Sequence, residues 1–389
     1  MNSSATIRVL LADHSSFVRR DLHDLLQADP NIEVVGEAQN GREVISGVRR
    51  LQPDIVVVDL DLPVVSGTDA LKIIMREFPT PVIVMCGPSS EGAARAMEAL
   101  ELGAVDFVTR LFGTRSPEAA LQRDELLAKV RTAGNDRRLL ARMRLKRGIG
   151  TARERMERRS AEKSDETAAT TTQVSAMGEK VQTVLRRPRP DPASFRIVVI
   201  GVSTGGPMAL HSLIPCLPPD LPVPVLIVQH MPAHFTSSLA RRLDFLSHAV
   251  VREADDGRFL RPGEILVAPG GRHLIVGRSG RTVKILDEPA DSLHKPSVNV
   301  TVASATRQFG GRVLGVIMTG MGNDGRDGML ELSRRGGYIL AQDAASCVVY
   351  GMPRAVVEAG IANEIHPLGD LPEAIASCLG RQALPPGSN

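Results

Sequence analysis

The sequence predicts an α/β protein with two folded regions joined by a long polar connector, and three observations carry that expectation. Short apolar runs of strand length alternate with helix-like stretches towards both ends of the chain. There is no Trp, and there are only two Tyr and nine Phe. The cores must therefore be built from Val, Ile, Leu, Ala and Met, which favours parallel α/β sheets over aromatic-rich sandwiches. The 389 residues also exceed what one ordinary core organises.

The first region, residues 5–131, reads as five strands with intervening helices. Ile7 to Ala12 is a strand and Phe17 to Gln27 a helix; Glu33 to Ala38 and Arg42 to Leu51 repeat the pair. Ile55 to Asp59, Pro81 to Met85 and Val105 to Thr109 are the remaining strands, and a helix from about Ser116 to Arg131 closes the region. Helical segments between strands require crossover connections, so the sheet is expected to be parallel and doubly wound. Function collects at the C-terminal strand ends of such sheets. That rim would carry Asp13, Asp59 and Cys86.

Residues 132–193 form a basic and polar connector (RRLLARMRLKRGIGTARERMERRSAEK, then DETAATTTQVSAMGEK and RRPRPDP) with too little apolar surface for a core. It reads as a solvated linker with a transient helix, or as a docking segment for an acidic partner. The third region, residues 194–382, is again α/β. Arg196 to Ile200, Val223 to Val228, Val313 to Met318 and Tyr338 to Ala341 are strands; Met208 to Leu217 and Ser297 to Phe309 are helices. Glu264 to Pro269 and Leu274 to Val276 look like a pair of shorter strands around Pro-Gly-Gly.

The net charge of +3 is too small to imply nucleic-acid binding or attachment to a membrane surface. Four scattered cysteines make no CxxC pair and no metal spacing, which suits a reducing, cytoplasmic setting. The N-terminus lacks the apolar stretch of a secretory signal, and runs such as Ile55 to Val58 have strand length, so no membrane insertion is expected.

The chemistry concentrates in three places. In IVVIGVSTGGPMALHSL, Gly201-Val202-Ser203-Thr204-Gly205 sits between a strand and a helix. Glycines two before and two after a serine permit a sharp turn that exposes the hydroxyl, and the first amides of the helix can stabilise an oxyanion. Glycine-rich turns also cradle phosphates, but the P-loop Lys is absent and the next strand does not end in a ribose-binding acid. It ends in Gln229-His230, and neighbouring strand ends bring the imidazole towards Ser203. A serine hydroxyl needs such a base near neutral pH. A lone strand-end His is more simply structural; beside Gly-x-Ser-x-Gly the catalytic reading outweighs that. The third place is GVIMTGMGNDG, where Asp324 follows a strand and could hold the imidazole tautomer, or could be a plain turn residue. The chain order Ser203, His230, Asp324 differs from the familiar hydrolase folds.

GVSTGGP, VQHMPAHFT, EADDGRFLRPGEILVAPGGRHL, HKPSVNV, TGMGNDGRDGM and AQDAASCVVYGMPR occur in that order. With them, the third region resembles the chemotaxis protein-glutamate methylesterase family. The resemblance implies a three-layer α/β/α domain with a mostly parallel sheet. It also implies hydrolysis of glutamate γ-methyl esters on cytoplasmic helices of chemoreceptors, with methanol released, and deamidation of receptor glutamines as a companion reaction. It carries over Ser203 as nucleophile, His230 as base and Asp324 as orienting acid, with no cofactor for catalysis. Thr204, Gly205, Gly206 and Met321 fall on positions lining the site, Met321 as an oxyanion contributor. Asn299 in HKPSVNV departs from the usual Asp and puts local packing in question.

VVGEAQNGREV, PDIVVVDLDLPVVSG and EALELGAVDFVTR make the first region similar to the flavodoxin-like receiver domain that precedes this hydrolase in the family. The resemblance makes Asp59 the phosphoacceptor, and Asp13 with Asp59 the carboxylates for Mg²⁺. It also makes a chemotaxis histidine kinase a candidate partner, and lets the receiver cover the active-site face. Three positions depart from the pattern. The acidic pair after the first strand is Asp13-His14, Cys86 replaces a hydroxyl residue, and Arg110-Leu111 replaces Lys-Pro. Mg²⁺ prefers hard oxygen ligands, a thiol donates weakly, and Arg is no compact ammonium. Together they point to weak or absent phosphorylation; the alternative is a receiver that works through Asp13, Asp59 and Asp61 with rearranged geometry. A non-catalytic adaptor that binds receptor or kinase is the competing function, and an intact Ser203, His230 and Asp324 set counts against it.

Overall fold

The computed structural model of the chain describes residues 6–110, 117–135, 188–290 and 292–385. Most of the connector at 132–193 lies outside the described residues, so both readings of it fall there too.

In the first region, β1 (Ile7–Ala12), β2 (Ile32–Ala38), β3 (Ile55–Asp59), β4 (Val82–Cys86) and β5 (Asp106–Thr109) form one sheet in the order β2-β1-β3-β4-β5. β1 runs parallel to both β2 and β3. That order is the flavodoxin-like one, with its switch point beside β1. The residues of β3 and β4 are all buried, as expected of Val- and Ile-rich strands covered on both faces. The helices are α1 (Ser16–Gln27), α2 (Gly41–Leu51), α3 (Gly67–Glu77), α4 (Ser90–Glu101) and α5 (Pro117–Asn135). The first four start where Ser15, Asn40, Ser66 and Ser89 accept a hydrogen bond from the amide three residues on. At α2 the cap is reciprocal, because the Glu43 carboxylate accepts from Asn40 Nδ2 as well as from the Gln39 amide. α5 continues to Asn135, past the end expected at Arg131.

The third region has a seven-stranded sheet in the order β14-β13-β12-β6-β7-β9-β8. Its strands are β6 (Ile197–Val202), β7 (Val225–Gln229), β8 (Val250–Glu253), β9 (Glu264–Val267), β12 (Val313–Ile317), β13 (Tyr338–Gln342) and β14 (Glu364–His366), and every pairing is parallel. Both faces are buried. Ile197 and Val199 of β6 pack into a cluster with Val298, Val302, Met329 and Val356, while Val198 and Ile200 on the other face are equally inaccessible. The helices that follow the strands are α6 (Gly206–Leu213), α7 (Phe235–Leu246), α8 (Val298–Phe309), α9 (Arg326–Arg334), α10 (Met352–Glu358) and α11 (Leu371–Cys378).

Two expectations are corrected here. The strands read as a pair around Pro-Gly-Gly do not pair with each other. β9 joins the main sheet beside β7, whereas β10 (His273–Val276) forms a separate antiparallel hairpin with β11 (Val283–Leu286). The helix expected to run from Met208 to Leu217 ends at Leu213 and tightens into a 3₁₀ turn at Ile214–Cys216. Pro215 has no N–H to extend the α-helical ladder there. Near the start of the region, Arg189 grips the edge strand through two hydrogen bonds to Glu364, at 2.5 and 2.6 Å, and donates a third to Ser377 Oγ. Tyr338 OH donates to the same carboxylate at 2.6 Å.

Candidate active site

β6 lies mid-sheet, with β7 on one side and β12 on the other, so the chain changes direction across the sheet at its C-terminal end. The register aligns Val202 with Gln229 and Gly201 with Ile317. Ser203 and His230 therefore leave adjacent strand ends side by side. The His230 amide donates to Val202 O at 3.1 Å, and the Ser203 amide donates to Thr319 O at 3.0 Å. The Gly206 amide closes the turn onto Ser203 O at 2.7 Å, placing half-buried Ser203 just before α6.

Two glycines make this crossing possible by close approach. A Cβ on Gly320 would stand 2.9 Å from Ser203 Cβ and 2.3 Å from Met352 Sδ. A Cβ on Gly206 would stand 2.1 Å from Gln229 Oε1. Gln229, itself buried, uses its side-chain amide as a clamp: Nε2 donates to Ser203 O at 2.9 Å and to His230 O at 3.0 Å. One amide thus fixes the backbone of both residues.

His230 Nε2 meets Asp324 Oδ2 at 2.7 Å, with both side chains only 8% exposed. The other ring nitrogen, Nδ1, is buried and without a hydrogen-bond partner among the described residues. The imidazole stacks on His294, with centroids 4.1 Å apart and planes inclined by 14°. Asp324 is held by more than the imidazole. Its Oδ2 also accepts from the Val298 amide at 2.7 Å, and its Oδ1 accepts from Ser297 Oγ, the Asn299 amide and the Gly325 amide at 3.0 Å each. The carboxylate therefore sits on the N-terminus of α8, where exposed amides and the helix dipole favour negative charge. Burial works to raise its pKa, but the His230 hydrogen bond and charge and the Asn299 and Val298 amides outweigh it, bringing it to about 2.

Asn299, the departure that put local packing in question, has a clear place. Its Oδ1 accepts from the amides of Gly325 and Gly328 at 3.0 and 2.8 Å, serving the start of α9. The two helix starts thus exchange caps: Asp324, just before α9, serves α8, and Asn299, in the first turn of α8, serves α9. The expected lining residues are spread along the same rim. Thr204 is buried and its carbonyl accepts from Thr319 Oγ1 at 2.9 Å; Met321 is half-buried in the loop before Asp324. Sequence reasoning missed the roles of Gln229, His294, Ser297 and Gly320. Ser297 was the most accessible of them, since a Ser just before a helical run is a cap signal.

A family model described as CheB methylesterase matches residues 198–375, and one described as response regulator receiver domain matches residues 9–122. A protein-glutamate methylesterase/protein-glutamine glutaminase from Symbiobacterium thermophilum is 44% identical over 378 residues, covering 96% of this chain and 97% of the relative. The chain belongs to the protein-glutamate methylesterase/protein-glutamine glutaminase family. A member from Caldanaerobacter subterraneus is 40% identical, over 93% of each chain. The crystal structure of the Thermotoga maritima CheB methylesterase catalytic domain is 40% identical, with a TM-score of 0.45, and covers 46% of this chain and 97% of that one.

The receiver domain of this family member brings its own expected residues together. Asp13, His14 and Asp59 each offer a ligand atom within 4.8 Å of the others. His14 Nδ1 lies 3.2 Å from Asp59 Oδ2 and 3.8 Å from Asp13 Oδ1. The Ser15 amide donates to Asp13 Oδ1 at 2.7 Å and the Asp61 amide to Asp59 Oδ1 at 3.1 Å. Cys86 Sγ faces Val108 O at 3.9 Å, a long contact for a weak thiol donor.

Proposed function

We propose that the chain hydrolyses glutamate γ-methyl esters on the cytoplasmic helices of methylated chemoreceptors and deamidates glutamines at such positions through the same residues. The observation that carries the mechanism is the division of labour on the His230 ring. Nε2 is engaged by Asp324, which leaves the buried Nδ1 as the nitrogen with a lone pair for a proton. Ser203 Oγ attacks the ester carbonyl and gives its proton to His230 Nδ1. The negative charge of Asp324 stabilises the imidazolium, and the ring returns the proton to the departing methoxide. Water, deprotonated by the same nitrogen, then cleaves the acyl-enzyme to a free glutamate and restores Ser203. Deamidation differs only in that ammonia leaves.

Thr204, Gly205, Gly206 and Met321 line the pocket in this reading, and no cofactor takes part in these steps. The segments are a receiver at 5–131, a connector at 132–193 and a catalytic domain at 194–382; the family matches at 9–122 and 198–375 support that division. The chain works in the cytoplasm, where receptor signalling helices lie; among the described residues no helix is long and apolar enough to cross a membrane. A chemotaxis histidine kinase is the partner of an atypical receiver in which Asp59 is phosphorylated weakly or not at all. The assembled His230–Asp324 pair weighs against a non-catalytic adaptor. The test is methanol release from methylated receptor by wild type and Ser203→Ala. Loss of release in the variant is expected, and equal rates would end the proposal.

A further inference from the structure

The family's receiver implies Mg²⁺, but the donor set here does not fit that ion. Mg²⁺ demands near-octahedral oxygen coordination and keeps several waters, whereas His14 places an imidazole nitrogen among the donors. We propose that Asp13, His14 and Asp59 form a site for a divalent transition-metal ion of the Zn²⁺ type.

The spacing supports it. Zn²⁺ binds imidazole nitrogen and carboxylate oxygen at about 2.0–2.2 Å, so two donors on one tetrahedral ion lie about 3.4 Å apart. The separations of 3.2 and 3.8 Å from His14 Nδ1 to the two carboxylates bracket that edge, and the three ligand atoms all lie within 4.8 Å of one another, so one ion can draw them together by side-chain adjustment. The chemistry supports it too. Two carboxylates and a neutral imidazole balance a divalent charge, and imidazole suits Zn²⁺ and its first-row neighbours far better than Mg²⁺. Both carboxylates are fully buried, and backbone amides of Ser15 and Asp61 orient them, as outer-shell groups do in metal sites. The His14 side chain is 45% exposed, so the cluster has one wet side through which an ion can enter and where water can complete the coordination. The hydrogen bond between His14 Nδ1 and Asp59 is the contact the ion replaces. The proposal is independent of the esterase mechanism, because no residue is shared.

The test uses the untagged full-length chain, stripped with chelator and dialysed against Zn²⁺ or Mg²⁺, with bound metal quantified. Co²⁺ serves as a visible-absorption probe of the coordination. One Zn²⁺ per chain is expected, at least a hundredfold tighter than Mg²⁺. His14→Ala, at a partly exposed position, should keep its circular dichroism yet weaken Zn²⁺ binding at least tenfold and remove the Co²⁺ band. His14→Asp should lower the Zn²⁺-to-Mg²⁺ preference at least tenfold. Unchanged Zn²⁺ affinity in His14→Ala, an unchanged metal preference in His14→Asp, or tighter binding of Mg²⁺ than Zn²⁺ by the wild type would overturn the proposal.

Discussion

Replacing Asp324 by Asn tests how one carboxylate serves both catalysis and folding. The side chain keeps its size but loses its charge, and one of its two acceptor oxygens becomes a donor. Oδ2 faces the donors His230 Nε2–H and Val298 N–H, and Oδ1 faces Ser297, Asn299 and Gly325, so an amide NH₂ opposes donors in either orientation. The native carboxyl is held at about 2 against an ordinary 3.8. That depression makes the charged form worth about 2–3 kcal/mol to the fold. Because the folded value is the lower one, this stability is present above about pH 4 and lost as pH falls towards 2. Asp324→Asn should therefore cost about 2–3 kcal/mol in urea unfolding at pH 7, with the gap to wild type closing between about pH 4 and 2. With its tautomer no longer held, His230 should lose base function, and kcat for methanol release should fall by about 10⁴, the scale seen when a triad acid becomes an amide. A variant within threefold of wild-type kcat, or equally stable at pH 7, would refute this account of Asp324.

Gly320→Ala should reduce kcat at least a hundredfold, because the new methyl must displace Ser203 or Met352; crystallography of the variant would show which one moves. Gln229→Met keeps the shape but removes the side-chain donor to His230 O and one of the two donors to Ser203 O, so it should cost about 1–3 kcal/mol in denaturation and lower kcat by loosening both Ser203 and His230. Asn299→Asp retains the acceptor for Gly325 and Gly328 and adds a charge close to Asp324; stability should hold while the acid limb of the pH–rate profile moves to higher pH. Glu364→Gln loosens the Arg189 grip. The Arg189 hydrogen bond leads the causes that bring the Glu364 carboxyl to about 2, so wild type should lose this contribution as pH falls from about 4.5 to 2, while esterase activity stays unchanged. Solvent screening at this partly exposed pair limits the cost at pH 7 to about 1 kcal/mol.

How much was legible in the sequence depended on how local each signal is. The β1, β3 and β6 runs are rich in Val, Ile and Leu and flanked by turns; β1 and β3 form where expected, and β6 runs two residues past the expected end at Ile200. Ser203 stood out because the glycines around it encode a turn within five residues. Asp324 was locatable at a strand end, but its partners Ser297, Val298 and Asn299 lie 25 to 27 residues away, and no short window contains that relation. The β9 and β10 strands show the opposite failure. Adjacent strands around a Pro-Gly-Gly look like a hairpin locally, yet burial of the Glu264–Val267 face beside β7 takes β9 into the main sheet. Gln229 was in view beside His230 without a role, because only the folded turn shows that its amide reaches two backbone carbonyls.

The exchange of caps between Asp324 and Asn299 has a consequence for how this enzyme could decay. A lineage that no longer needed ester hydrolysis would still need α8 and α9 to start where they do, so selection for a soluble, folded chain alone would keep Asp324. The serine hydroxyl bears no such second duty. Inactive descendants should therefore first differ at position 203 while keeping the acid, and a chain bearing only the Asp324 signature would be weak grounds for inferring an enzyme.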